Sequence, residues 1–334
     1  MREADIRPAS LLNEYLRLSA QDAQSYFADV STMVKRACPG CDEDDPVFAF
    51  EKNGFDFFHC RSCRTLYANP IPAAGALGEF YRDSPSQKYW GDTFFPAVEE
   101  ARREQIFRPR VSRIKDILGE FGQDIERITD VGAGTGIVLE ECKAAGLGAW
   151  HGAIEPNNDL AELCRQKGFT TYPGFANEAA AEPAWRSAAD LVTCFEVIEH
   201  VANCASFVGE LADLAAPGGI VLITGLCGSG YDILTLGAHS KAVSPPHHLN
   251  FLSRAGAGAL VKRCGLTEIK FLTPGELDVD IVGNTDQDLG RLDLDPFARH
   301  LIDCADQETR DEFQKFLSNN ALSSHMWIIA RKPV

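Results

Sequence analysis

Ile128-Thr-Asp130-Val-Gly132-Ala-Gly134-Thr-Gly136 joins an apolar run to a segment of helical periodicity, and that junction leaves few folds open. The β-branched residues suit a buried strand, and three alternating glycines let the backbone turn sharply and lie against a ligand. The helix that follows offers unpaired N–H groups at its start. A dinucleotide fingerprint, G-x-G-x-x-G, would need glycine at 137, where Ile137 stands. No Lys-Ser/Thr pair follows the glycines, so a phosphate-binding P-loop is excluded. Asp130 at the strand tip instead suits a cationic group.

From about residue 126 the pattern alternates strand and helix, which predicts a mostly parallel sheet covered on both faces. Expected strands are 128–131, 153–155, 170–172, 190–195, 220–224, 267–272 and 326–330. Expected helices run to about 145, then over 157–167, 203–215 and 254–264, the last with Ser253 as cap and Gly265 as stop. Glu155 closes the second strand, placed to accept from ribose hydroxyls. A long loop, 226–252, carries Gly225, Gly228 and Gly230 near its start, and reads as mobile at one end. About 50 residues, 275–323, precede the last strand and predict an accessory helical insertion.

Upstream, the N-terminal segment 1–34 is read as helical, residues 8–34 as one or two short amphipathic helices with Ser19-x-x-Asp22 as a cap at a break between them. Residues 71–125 read as a helical linker or lid, with a short helix over 73–82 and a break before Pro109. Between them lie Cys38-Pro-Gly-Cys41 and Cys60-Arg-Ser-Cys63, two C-x2-C pairs 18 residues apart. Two such knuckles complete a tetrahedral thiolate shell, so residues 35–70 read as a structural zinc ribbon. The residues between them, Phe48 to Phe58, predict a hairpin turning at Asn53-Gly54. The other seven of the 11 cysteines lie singly, as small core residues.

Charge narrows the partners. The chain carries 48 acidic and 32 basic residues, a net charge of −16. That balance argues against a large nucleic-acid footprint or docking on an anionic membrane. The ribbon, from Lys35 to Arg64, holds five basic and six acidic residues. No apolar run is long enough to span a bilayer, and MREADIRPAS lacks the pattern of a signal peptide. The expectation is a cytoplasmic protein.

Residues 126–272 resemble the class I S-adenosylmethionine-dependent methyltransferases. DVGAGTG is similar to their first motif and IEPN to their second. DLVTCFEVIEHV resembles the fourth-strand segment, and APGGIVLIT the turn into strand five. The resemblance implies an α/β fold with a seven-stranded, Rossmann-like sheet, its last hairpin antiparallel, here with a ribbon and an insertion added. It implies S-adenosyl-L-methionine as cofactor, with Gly132, Gly134 and Gly136 beneath the methionine tail and Asp130 near its ammonium. Glu155 would hold the ribose, Phe195 line the methionine side, and Phe175 the adenine.

A zinc ribbon before such a domain resembles two subfamilies, bacterial sugar C-methyltransferases and certain ribosomal RNA methyltransferases, and the acidic charge favours the first, with a small, sugar-like acceptor. Pro245-Pro-His247-His248-Leu-Asn250-Phe resembles the sugar enzymes' segment after strand five, where His248 falls on the general base. His247 is a second candidate. Imidazole titrates near neutrality and could take the acceptor's proton. Glu196-x-x-Glu199-His200 resembles a segment proposed to hold a divalent metal in ubiquinone-type O-methyltransferases, at helical i, i+3, i+4 spacing. Shaping the cofactor site is the plainer role. Tyr81, Tyr89 and Trp90, with Glu196, are weak acceptor-site candidates. An RNA methyltransferase and an inactive cofactor-binding protein are the alternatives.

Overall fold

The computed structural model describes residues 2–334. Its central sheet has seven strands: β1 (Arg127–Val131), β2 (Trp150–Ile154), β3 (Thr170–Tyr172), β4 (Ala189–Cys194), β5 (Ala215–Leu226), β6 (Thr267–Leu272) and β7 (His325–Arg331). They lie in the order 6-7-5-4-1-2-3. β1 to β5 are paired parallel, and β7 runs antiparallel between β5 and β6. Apolar side chains fill both faces, as parallel strands require. Val192, Val221, Ile223 and Ile328 pack under helices Cys204–Leu214 and Arg254–Arg263. Ile128, Leu191, Leu222 and Ile329 pack under Arg108–Glu120 and Ile137–Ala144. This is the expected class I methyltransferase architecture. β5 begins earlier than its apolar run suggests, because Pro217-Gly-Gly sits within it as an irregularity between Ala215 and Ile220.

The first part of the chain corrects one expectation. Ala9–Phe27 is one unbroken helix after a short turn at Glu3–Ile6. Ser19 and Asp22 do not cap a break. They are buried mid-helix because each serves a distant partner: Ser19 Oγ lies 3.3 Å from Ser244 Oγ, and Asp22 accepts from Ser86 N at 2.9 Å. The break before Pro109 is a π-helical turn, Arg103–Phe107. Pro109 then falls in the first turn of the next helix, where its missing N–H costs little.

The cysteine-bearing unit forms a four-stranded sheet in the order 250–251, 66–68, 55–60, 46–52. Asn53 and Gly54 both take positive φ, 51° and 81°, as a tight hairpin turn demands. Segment 226–252, expected to be held at one end and mobile at the other, is ordered near both: helix Tyr231–Leu236 follows its glycines, and its fourth-strand residues Asn250–Phe251 pair with strand Leu66–Ala68. Close backbone approach explains its glycine at 230, where a Cβ would fall 2.2 Å from Ser324 Cα. Ser253 ties the two units together, accepting from Gly256 N as helix cap while donating to the Cys63 carbonyl. Arg36 donates to the carbonyls of Ala68, Leu249 and Ala202.

The insertion before β7 comprises helices Asp278–Asp288, Pro296–Cys304 and Gln307–Asn319. Asp278 fastens its two ends, accepting from Gln314, Ser323 and Ser324. Among the described residues no helix is long and apolar enough to cross a membrane.

Candidate active site

The glycine loop leaves the C-terminal end of β1, the edge of an open α/β sheet where ligands bind. Gly132, Gly134 and Gly136 have φ of 72°, 55° and 78°. A Cβ on Gly132 would strike Val197 at 2.8 Å, whereas at Gly134 it would meet nothing within 4 Å, so the loop's outer side is open. Glu155, buried at the end of β2, accepts from Gly134 N at 2.8 Å and Asn157 N at 2.9 Å, bracing the loop. Asp130 is buried beneath it and accepts from Thr193 Oγ1 at 2.6 Å. Burial, reinforced by Glu155 and opposed by Thr193, pushes its pKa up to about 7. Phe195 lies just beyond β4, partly buried, with the Arg110 guanidinium 5.7 Å from its ring. Phe175 is exposed at the start of helix Ala176–Ala181, past the end of β3.

A histidine cluster stands across β4 and β5. His248 Nδ1 is 2.6 Å from the Ala242 carbonyl and must donate to it, leaving the Nε2 lone pair free. Its ring meets His200 edge-on, with centroids 4.9 Å apart. Tyr81 Oη sits 3.0 Å from the His247 carbonyl and 3.1 Å from His200 Nδ1. The hydroxyl donates to the carbonyl, so His200 Nδ1 donates to the hydroxyl and its Nε2 is also free. One atom each from Glu199, His200 and His248 lie within 4.8 Å of one another. Glu199 Oε2 is buried without a hydrogen-bond partner. Asn250 Nδ2 donates to the carbonyls of Ile198 and Val201, pinning this turn to the strand beside His248. Burial lowers the pKa of His200 to about 3 and that of His248 to about 4, so both are neutral at pH 7.

Two expectations change here. His247 is fully buried among Tyr15, Phe80 and Tyr81, with Nε2 2.8 Å from Ser86 Oγ. Walled in by rings, it packs behind the cluster, with neither a cleft nor an open face at its ring. Nor do residues 196–200 present three groups on one helical face. Glu196 takes φ 54°, and its carboxylate turns away to Thr224 Oγ1 at 2.7 Å and Arg110 at 3.2 Å. Burial would raise the Glu196 pKa, yet His325, Arg110 and Thr224 bring it down to about 2.

Glu196 thus belongs to a second group that sequence reasoning missed. Arg110 and Trp327 Nε1 both donate to His325 Nε2, at 2.9 and 3.1 Å. Arg102 lies 5.7 to 6.0 Å from the rings of Trp90, Phe95 and Phe107. Only the topology reveals them, because His325 opens β7 opposite Leu226, 99 positions away. Trp90 stacks on Phe94 at 4.4 Å, and Tyr89 packs in the same apolar cluster.

The four cysteines converge as their spacing predicts. Cys38 and Cys63 are 3.5 Å apart at sulfur, as are Cys41 and Cys60, and all four sulfurs lie within 4.8 Å. A tetrahedral zinc with Zn–S of about 2.3 Å needs sulfur–sulfur edges of about 3.8 Å. The shell fits.

A family model described as a methyltransferase domain matches residues 99–270, just over half of the chain. The chain belongs to this methyltransferase family. The matched region takes in the glycine loop, Glu155, Glu196, Glu199, His200 and His248. A ubiquinone biosynthesis O-methyltransferase of Methylococcus capsulatus is 38% identical over 105 residues, covering 30% of this methyltransferase and 43% of that protein. The chain therefore spans less than half the length of that relative. One from Burkholderia thailandensis is 31% identical over 182 residues, covering 50% of this chain and 76% of its own. Among solved structures, Haemonchus contortus phosphoethanolamine N-methyltransferase 2, in complex with S-adenosyl-L-methionine, aligns with a TM-score of 0.53 and 17% identity. It covers 84% of this chain and 64% of that one, a likeness of fold alone.

Proposed function

We propose that this protein transfers a methyl group from S-adenosyl-L-methionine to a small-molecule acceptor. The observation that carries this reading is the open glycine loop, braced by Glu155 over buried Asp130, at the ligand edge of a methyltransferase sheet. The cofactor supplies an electrophilic methyl group. Gly132, Gly134 and Gly136 line its amino-acid tail, Asp130 and Glu155 take its ammonium and ribose, Phe195 its methionine side and Phe175 its adenine. The protein's task is then to hold an acceptor in line and remove a proton. His248 Nε2 is free to take it, since the Ala242 carbonyl fixes the other ring nitrogen. The relatives' names favour oxygen as the methylated atom. A sugar-like carbon acceptor is the alternative, resting on the segment around His248. The acidic charge, also spread through the ribbon, speaks against RNA and for a cytoplasmic enzyme acting on a metabolite.

A second reading of the same residues is favoured by the unpartnered Glu199 Oε2. Glu199, His200 and His248 could hold a divalent cation, which would polarise the acceptor oxygen. Cys38, Cys41, Cys60 and Cys63 would hold a structural zinc. Calorimetry with S-adenosylhomocysteine tests the main reading. Absence of binding, or binding indifferent to Gly134→Val with Asp130→Ala, overturns it. Turnover that vanishes with a chelator while the cysteine-bound zinc stays in place selects the cation reading.

A further inference from the structure

We propose that Arg7, Arg102 and Arg110 form an anion-binding subsite beside the histidine cluster, and that the acceptor carries a carboxylate or phosphate. This names the substrate class within the methyltransferase reading and rests on it.

The three arginines come from separate elements before β1. Arg7 follows helix Glu3–Ile6, which packs on helix Phe95–Arg102. Arg102 at the end of that helix flanks the Phe107 ring at 6.0 Å, as Arg110 of helix Arg108–Glu120 does at 5.9 Å. The chain holds 16 more acidic than basic residues, so unpaired guanidinium groups are not forced on it. Arg103 and Arg108 find Glu141, and Arg299 finds Asp286, while Arg127 and Arg310, like Arg102, leave a buried Nε without a partner. Among the described residues Arg7 and Arg102 make no ion pair. Arg102 Nε is buried with no hydrogen-bond partner at all.

Glu196, the carboxylate in contact with Arg110, is already engaged by it and by the Thr224 hydroxyl, and Glu199, whose pKa burial raises, is a second carboxylate within reach of Arg110. Three guanidinium groups therefore outnumber the one carboxylate that pairs with any of them, Glu196. Their mutual pressure is visible: the Arg7 charge adds to burial in depressing Arg102 and Arg110, and reaches His248 and His325 as well. Like charges gathered in a partly buried place are costly unless an anion joins them. The aromatic rings around Arg102 hold its fork in place, so little ordering remains when an oxyanion arrives. Bidentate oxygen groups, carboxylate or phosphate, match that fork.

The cofactor's own carboxylate shares this chemistry, and the experiment separates it from an acceptor anion. Full-length protein is titrated with sodium phosphate and with sodium acetate, against chloride at equal ionic strength, with and without saturating S-adenosylhomocysteine. Anion binding is read by calorimetry and thermal shift. The expected result is specific stabilisation of the S-adenosylhomocysteine-bound protein, weakened at least about tenfold by Arg7→Gln and by Arg102→Gln. Arg102→Lys, which keeps the charge, serves should the glutamine variant fold poorly, and should retain part of the effect. The preference for S-adenosylhomocysteine over carboxylate-free 5′-methylthioadenosine should stay unchanged in both variants. No anion-specific effect, or one that survives both substitutions, overturns the subsite. Collapse of that preference in Arg102→Gln assigns the arginines to the cofactor and overturns the acceptor assignment. If S-adenosylhomocysteine fails to bind, the methyltransferase reading fails, while the anion titration of the free protein still decides the subsite.

Discussion

The imidazole of His248 donates from Nδ1 to the carbonyl oxygen of Ala242, 2.6 Å away, and this leaves Nε2 as the accepting nitrogen of a ring that meets His200 edge-on. The backbone thus fixes which nitrogen can accept a proton or a metal. His248→Ala should leave S-adenosylhomocysteine affinity nearly unchanged and lower kcat by roughly 10²–10⁴, the worth of a positioned acid–base group. His247→Ala should act on stability instead, lowering Tm, because its ring is buried against Tyr15 and Phe80. Kinetics at saturating cofactor beside thermal melts check both. A His248→Ala enzyme with normal turnover and weakened cofactor binding contradicts the assignment.

The cysteine centre should act on the acceptor side through the sheet it shares with Asn250–Phe251. Cys60→Ser should abolish one bound zinc per chain by elemental analysis. It should also expose residues 35–70 and 226–252 to protease together, since both hang on strand Leu66–Ala68. Affinity for S-adenosylhomocysteine should fall by no more than a few-fold, because the glycine loop is braced from within the seven-stranded sheet by Glu155. Protein purified without chelator yet free of zinc contradicts the metal assignment.

The glycine loop was legible because its backbone angles demand glycine wherever the chain occurs, so local residues carry the whole signal. The seven strands were legible for the same reason: Leu191, Val192, Val221 and Leu222 are apolar on both faces. Ser19 and Asp22 misled because their polar atoms serve Ser244 and Ser86, which no local pattern announces. Glu196 misled because a left-handed residue breaks the helical spacing on which its grouping with Glu199 relied. Arg7, Arg102 and His325 were silent, since their meaning depends on three distant segments meeting at one sheet edge.

Asp130 should make cofactor binding depend on pH. Its folded pKa is raised from 3.8 to about 7, so the free protein loses stability as pH rises through that window. A bound ammonium group favours the carboxylate and reverses the penalty. Cofactor affinity should therefore climb with pH below about 7, by up to about tenfold per unit, and level off above. Asp130→Asn should weaken binding and flatten the profile. Calorimetry from pH 5.5 to 8.5 in buffers of different ionisation enthalpy reads both the affinity and the proton released.

The insertion carries a pH-dependent strut of its own. Asp232, fully buried in helix Tyr231–Leu236, has neither carboxylate oxygen in a well-directed hydrogen bond, and the Asp278 carboxylate faces it. Burial, reinforced by Asp278, holds its pKa well above the ordinary carboxylate range, so the folded protein favours the protonated form of Asp232. An unfolded chain releases that proton above its ordinary pKa, so this residue costs stability increasingly as pH rises. Asp232→Asn keeps the shape without an ionisable proton, and should stabilise the protein at pH 8 by about 1–3 kcal/mol, with little gain at pH 4. Asp278→Asn should do the opposite, because Asp278 also accepts from Ser323, Ser324 and Gln314 at both ends of the insertion. Denaturant melts of the two variants across pH distinguish the strut from simple packing: equal losses at every pH would mean that the pair only fills space.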